Sequence, residues 1–365
     1  MEAVGPEIRN VVPSVRWTDD SPVLWNDGCW KRPVSRTSGQ LYGVVSQFQA
    51  NTKYQSDRDS EKILLKIPFP TGQDIGGHLF FGYDGYLYIS VGHGGPEQEE
   101  FAQNRLSLLG KILRIDVAVA SDGKNYSIPS DNPIVENGGQ GRKEIYASGA
   151  RSMWRCSLDS GDVSTGEGRG RIFCGDVGAE TYEEVNIIQK GGNYGWNERE
   201  GYECRMRRAC HDLEMEVMPI SVYEHTLVRA AVVGGYMYRG KGIPSVHGQY
   251  IFGDASSGEM FRLVEPKKRQ SQWISYLLTV CDKSQCPCSA REEQPKHIVS
   301  FSTDRDEELY VLTTTSLMSE WATGAIYKLV APIGNRNDKL TCAGNTTRWS
   351  VLAVLVWLFA SVTFT

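Results

Sequence analysis

Apolar residues along this chain fall in short runs centred on aromatic positions, and polar or glycine-rich turns close each run. Asp84-Gly85-Tyr86-Leu87-Tyr88-Ile89-Ser90, His247-Gly248-Gln249-Tyr250-Ile251-Phe252-Gly253-Asp254 and Glu307-Glu308-Leu309-Tyr310-Val311-Leu312-Thr313 each place a turn before such a strand. Lys111 to Asp116, Met260 to Val264 and Ala325 to Leu329 read as their partner strands. The richest stretch is Gly170 to Tyr202. There a short apolar strand enters a glycine-rich acidic turn, a second strand follows at Val185 to Ile188, and a glycine-aromatic corner closes at Gly191-Gly192-Asn193-Tyr194-Gly195-Trp196. Antiparallel units recurring every several tens of residues suit propeller blades of about 40 to 50 residues with insertions. The pattern predicts an all-β chain built as a β-propeller. Charged and Pro-rich stretches such as Asp131 to Lys143, Arg205 to Met218 and Cys281 to Pro295 become face loops, and helix is confined to amphipathic turns near Glu97 to Leu109.

Composition narrows the class. A chain of 365 residues, 40% hydrophobic, can bury a large core, and 38 glycines favour one large all-β domain over two smaller ones. A net charge of −5 argues against a nucleic-acid surface, and Lys267-Lys268-Arg269 is too short to reverse that. The nine cysteines lack zinc-site spacing, so disulfides are expected, with Cys204 paired to Cys210 and Cys156 to Cys174. Of Cys281, Cys286 and Cys288, only two need pair locally. Asn125-Tyr126-Ser127 and Asn345-Thr346-Thr347 are glycosylation acceptors in a secreted chain.

The ends carry separate expectations. Residues 1–30 hold no basic segment followed by an apolar run and so no signal peptide, which for a secreted protein predicts an incomplete N-terminus. Residues 349–365 are uncharged, short of the about 20 residues a membrane helix needs, and suit a GPI-attachment signal, with a plain hydrophobic anchor as the alternative. The division expected is a partial lead-in over 1–71, the propeller over 72–330, a polar linker over 331–348 and the anchor segment over 349–365.

Four ordered motifs carry a resemblance: Asp74 to Tyr88, Gln103 to Asp116, Ile145 to Arg151 and the Gly170 to Tyr202 stretch. They resemble the six-bladed propeller of the hedgehog-interacting-protein-like family, which shares its fold with quinoprotein glucose/sorbosone dehydrogenases. The likeness runs from about Gly72 to Leu329, and it specifies the fold more closely than the function.

That resemblance implies two functions. In the dehydrogenases a histidine base precedes the Gly-Gly-x-Leu strand; Asp74 stands there here, with His78 four residues on. Gln98 and Arg151 match quinone contacts, Ser152 stands for the asparagine usual after the arginine, Ser256 replaces the clamping lysine, and His297 to Val299 holds no counterpart of the later arginine pair. A quinone with three carboxylates is left short of cations, so quinone is not expected as a cofactor. Calcium is implied separately, through backbone carbonyls of Gly178, Ala179 and Tyr194, with Asp176, Glu183 and Glu184 adding charge near the turn or lying on solvated surface. In members that bind hedgehog, a face loop carries an acidic residue toward the zinc of the ligand; the corresponding loop here offers His93, Glu97, Glu99 and Glu100. Arg205, Arg207 and Arg208 between Cys204 and Cys210 offer a basic surface for a sulfated glycan. The reading expected is an extracellular, anchored interaction module that binds a protein or glycan, with a quinone-dependent sugar oxidoreductase as the alternative.

Overall fold

The computed structural model describes residues 11–18 as backbone alone, and residues 41–49, 57–71, 73–121, 123–205, 210–267, 272–278, 297–317 and 324–331. Cys281, Cys286, Cys288, Arg207, Arg208, Asn345 and the segment 349–365 lie outside them. The chain divides into two compact units, one within Met1–Ser152 and one within Met153–Ser361.

The first unit contains two antiparallel sheets. One joins β1 (Val11–Thr18), β2 (Leu41–Gln49) and β3 (Lys62–Phe69) in sequence order; the other joins β4 (Gly76–Phe81), β5 (Leu87–Val91), β6 (Lys111–Ile115) and β7 (Ile145–Ser148). β5 and β6 are inner strands and are buried at every position, including Ser90, Lys111 and Arg114 among their apolar residues. Leu87, Ile89, Val91, Leu113 and Ile115 pack with Leu65, Ile67 and Phe69 from β3 in one core. Burying side chains of this size stabilises by about 1.5–3 kcal/mol each. Lys111 is buried on β6, and its ammonium donates to the carbonyls of Phe101, Ala102 and Leu109 at 2.6, 2.8 and 2.7 Å, tying down the 3-10 helix Pro96–Ala102. That helix coincides with the amphipathic turns expected there.

The second unit contains β8 (Met153–Leu158), β9 (Ile172–Asp176), β10 (Tyr182–Ile188), a two-stranded hairpin of β11 (Arg199–Glu200) and β12 (Glu203–Cys204), and β13 (Ser221–Glu224), with β8, β9, β10 and β13 in one sheet. β14 (Val232–Met237), β15 (Tyr250–Asp254), β16 (Met260–Val264) and β17 (Ile274–Leu278) form the next sheet, and β18 (His297–Thr303), β19 (Leu309–Thr314) and β20 (Gly324–Lys328) the last. Aromatic contacts link the sheets: Phe173 on β9 stacks on Tyr250 at 4.6 Å, and Phe261 on β16 stacks on Tyr223 at 5.3 Å. Both disulfides expected from spacing are present. Cys156 and Cys174 are direct cross-strand partners of β8 and β9, and the Cys204–Cys210 bridge closes the segment that follows β12.

Candidate functional site

Two turn clusters, one in each unit, hold the residues singled out from the sequence. In the first unit the chain crosses itself at the entry to β4 and the exit from β5. Asp74 takes a left-handed φ of 42°, and Gly92 has no room for a side chain, since a Cβ there would meet the Asp74 carbonyl at 1.8 Å. The crossing is stitched by backbone bonds: Gly94 N–H donates to the Asp74 carbonyl at 3.1 Å, and His93 N–H to the Arg151 carbonyl at 2.9 Å.

His93 is buried beneath this crossing. Its Nδ1 lies 3.1 Å from the Arg151 carbonyl, which can only accept, so Nδ1 carries the proton and donates. Nε2 then faces Asp74 Oδ2 at 3.9 Å, and the Arg151 guanidinium lies 3.5 Å from Asp74 Oδ1. Burial, reinforced by the Arg151 charge, pushes the imidazole down to about 4, so it is neutral at physiological pH. The structure therefore brings together Asp74, His93 and Arg151.

Of the acidic residues with which the sequence groups it, Glu97 and Glu100 are exposed on the 3-10 helix and Glu99 is half-buried, as is Gln98, and the Glu99 charge acts on the His93 ring. His93 itself is buried, so its ring is not presented on the accessible surface of that loop. His78 lies on β4, where its backbone N–H donates to Ser90 Oγ at 2.9 Å and its ring stands 5.7 Å from Phe80. Asn125 is exposed, and its Nδ2 donates to the Ile63 carbonyl at 2.7 Å.

In the second unit the turn between β9 and β10 is organised by Glu200, a residue that nothing in the sequence pattern marked. One of its oxygens, Oε1, accepts from the backbone N–H groups of Ala179, Glu180, Thr181 and Tyr182 at 2.7, 2.8, 2.8 and 3.2 Å. Burial alone would raise this carboxyl, but the backbone N–H bonds outweigh it and hold Glu200 below the ordinary carboxylate range. Glu200 stands on β11, in the hairpin that leads into the Cys204–Cys210 bridge. Arg205 lies over the Trp196 ring at 4.0 Å, with its Nε 3.9 Å from Glu200 Oε2.

Asp176, Glu183 and Glu184 are buried, which excludes the solvated surface considered for them. Glu183 faces His225 Nδ1 at 2.6 Å through Oε1 and accepts the N–H groups of Val232 and Gly178 at 2.9 and 3.3 Å through Oε2. Glu184 sits directly opposite Asp176 across β10 and β9. Burial, then the Asp176 charge, pushes Glu184 up to about 8, although it accepts the Gly201 N–H at 2.7 Å and the Asn186 amide at 3.0 Å. Among the described residues no group of three or more His, Cys, Asp or Glu side chains is arranged to hold a metal ion. The Tyr194 hydroxyl donates to the Ile187 carbonyl at 2.8 Å and accepts the Gln189 N–H at 2.7 Å, which fixes the corner that carries the Tyr194 carbonyl.

Comparison with known proteins places this arrangement. The Glucose / Sorbosone dehydrogenase family profile matches residues 31–314, and the chain belongs to that family. Within it the chain is of the hedgehog-interacting-protein-like kind. It is 33% identical over 326 residues to the HIPL2 protein of Arabidopsis thaliana, covering 79% of this chain and 44% of that protein. It is 28% identical over 283 residues to the Hedgehog-interacting protein of Mus musculus, covering 76% of this chain and 36% of that protein. The chain thus spans less than half the length of these curated relatives. The apo-form structure of the soluble aldose sugar dehydrogenase of Escherichia coli superposes with a TM-score of 0.58 at 20% identity, over 81% of this chain and 75% of that one, a likeness of fold. The fold is the all-β, six-bladed propeller class expected from the sequence, and five blade-type sheets fall among the described residues.

Proposed function

We propose that this chain is an extracellular interaction module that recognises a protein or a sulfated glycan without catalysing a reaction on it. The observation that carries the reading is the internal use of charge at the crossing. Where the resemblance puts a base there is Asp74, and its carboxylate already faces Arg151 at 3.5 Å and His93 at 3.9 Å. Arg151 is the one cation matched to a quinone contact, and it is already countered by Asp74. At the clamping position stands Ser256, whose N–H donates to Asp254 Oδ1 at 2.9 Å. Residues of this kind do not fit a tricarboxylate quinone, which needs several charge-assisted bonds of about 1.5–3 kcal/mol each. Exposed Glu97 and Glu100 supply an acidic surface suited to a metal-bearing or basic protein partner, whereas Arg205 is already engaged by Trp196 and Glu200, so a sulfated glycan would depend on Arg207 and Arg208. Two disulfides favour an oxidising compartment, and the uncharged segment 349–365 would attach the chain to a membrane.

The deciding experiment has two arms. Incubation with quinone and calcium is expected to produce neither a bound chromophore nor sugar-dependent dye reduction; a positive result would replace this reading with a sugar oxidoreductase. Surface plasmon resonance against a hedgehog-type ligand and against heparin is expected to detect binding to one of them, with binding to the protein ligand weakened in a variant carrying Glu97→Gln and Glu100→Gln. A propeller that bound neither would sink the interaction reading.

A second reading concerns calcium at the β9–β10 turn, and one observation favours it. The Ala179 and Glu180 N–H groups point at Glu200. In a trans peptide the N–H and the carbonyl of one unit point in opposite directions. The carbonyls of Gly178 and Ala179 are therefore directed away from Glu200, as ligands for a hard cation require. Calcium bound there would contribute structural order, and isothermal titration with calcium tests it.

A further inference from the structure

We infer that Glu200 is the positioning residue of the β9–β10 turn: by gathering four consecutive backbone N–H groups onto one oxygen it turns the Gly178 and Ala179 carbonyls outward. The inference rests on the calcium reading for what those carbonyls do, and on the geometry alone for how they are held.

Besides Glu200, the turn is held by the His225 N–H, which donates to the Thr181 carbonyl at 2.8 Å, and by the Gly178 N–H, which donates to Glu183 at 3.3 Å. Ala179, Glu180 and Thr181 lie between the end of β9 at Asp176 and the start of β10 at Tyr182, and the bonds recorded for their N–H groups all run to Glu200 Oε1. Consecutive N–H groups converging on one point make an anion-binding concavity, and here the anion is part of the chain. The hairpin that brings it is itself fastened to the same turn. Gly201 N–H donates to Glu184 Oε1 at 2.7 Å, the Tyr182 hydroxyl donates to Glu203 Oε1 at 3.0 Å, and a Cβ on Gly201 would meet the Tyr182 ring at 2.7 Å. Arg205 holds Glu200 from the other side, and the Cys204–Cys210 bridge closes the segment from which Arg205 projects. A neutral side chain at position 200 would keep the shape of the hairpin and lose the charge that draws in the four N–H groups.

The test is native-state amide exchange on the full chain, read peptide by peptide, together with calcium titration. In the wild type the amides of residues 179–181 should be protected despite lying outside any strand ladder. Glu200→Gln should speed their exchange tenfold or more, leave β14–β16 unchanged, and weaken calcium binding at least tenfold. Glu203→Gln, on the same hairpin but outside the concavity, should leave residues 179–181 and calcium affinity as they are. Unprotected amides at 179–181 in the wild type would overturn the inference even if Glu200→Gln failed to fold, and so would wild-type protection in a folded Glu200→Gln protein. If the wild type takes up no calcium, the cation reading falls, while the exchange result still decides the role of Glu200. If calcium binds equally to wild type and Glu200→Gln, the carbonyls are not set by Glu200 and the inference falls while the cation reading stands.

Discussion

The crossing in the first unit and the turn in the second are built from the same materials, glycines and a carboxylate, and use them in opposite ways. At the crossing, Asp74 directs its charge at side chains, Arg151 and His93. At the turn, Glu200 directs its charge mainly at backbone N–H groups. A side-chain pair cancels charge, whereas a carboxylate in a ring of N–H groups transmits polarity to the far side of the peptide.

The largest effects should come from the glycines that permit the close approaches. Gly92→Ala would drive a Cβ to 1.8 Å from the Asp74 carbonyl, and Gly178→Ala to 2.0 Å from the Tyr182 carbonyl; both neighbours are backbone and cannot swing aside. Each should cost about 3 kcal/mol or more and lower the Tm by about 6 °C or more. Gly85→Ala, which meets nothing within 4 Å, should cost about 1 kcal/mol through its φ of 82° alone. Calorimetry that found all three alike would mean that both crossings relax, and the contrast drawn between them would lose its basis.

Titration separates the two regions next. His93, at about 4 in the fold against an ordinary 6.5, is protonated first in the unfolded chain. The stability it contributes is therefore present above 6.5 and lost as pH falls toward about 4. Glu184 tilts the other way. At about 8 in the fold against 4.5, it keeps a proton that the unfolded chain gives up, so its contribution is full below 4.5 and lost as pH rises through about 8. Amide exchange corrected for intrinsic rates should show the crossing loosening toward acid and the β9–β10 pair loosening toward alkali. His93→Asn should remove the first trend and Glu184→Gln the second. Parallel trends in both regions would contradict these assignments.

Much of this architecture was legible in the residues. Aromatic-centred runs marked β5, β15 and β19, and short spacing marked both disulfides. The sites were legible only in part, because adjacent strand residues point to opposite faces and the pattern does not say what covers each face. Tyr182-Glu183-Glu184-Val185 looks half-solvated as a string. In the fold Glu183 reaches Val232 at β14 and Glu184 reaches Gly201 beside β11, so both faces are covered and both acids are buried. Glu200 escaped notice for a related reason. Its role lies in bonds to backbone N–H groups 18 to 21 residues away along the chain, and no side-chain pattern encodes them. His93 misled because it is contiguous with an acidic loop while its partners, Asp74 and Arg151, come from distant segments.

The smallest expected effect concerns the centre of the first cluster. Asp74→Asn keeps the shape of the side chain and removes the charge facing Arg151 and His93. Asp74 is 24% exposed and its contacts lie at 3.5 and 3.9 Å, beyond ordinary hydrogen-bond length. A partly exposed ion pair of this kind contributes about 1 kcal/mol or less, so the Tm should fall by about 2–4 °C. The Asp74 charge also favours the protonated form of His93. Its removal should therefore move the acid-side loss of protection at the crossing to lower pH and leave the alkaline trend at β9 and β10 unaltered. A stability loss of several kcal/mol would mean that the crossing is held together by its charges, as the turn is by Glu200, and that the two regions are alike after all.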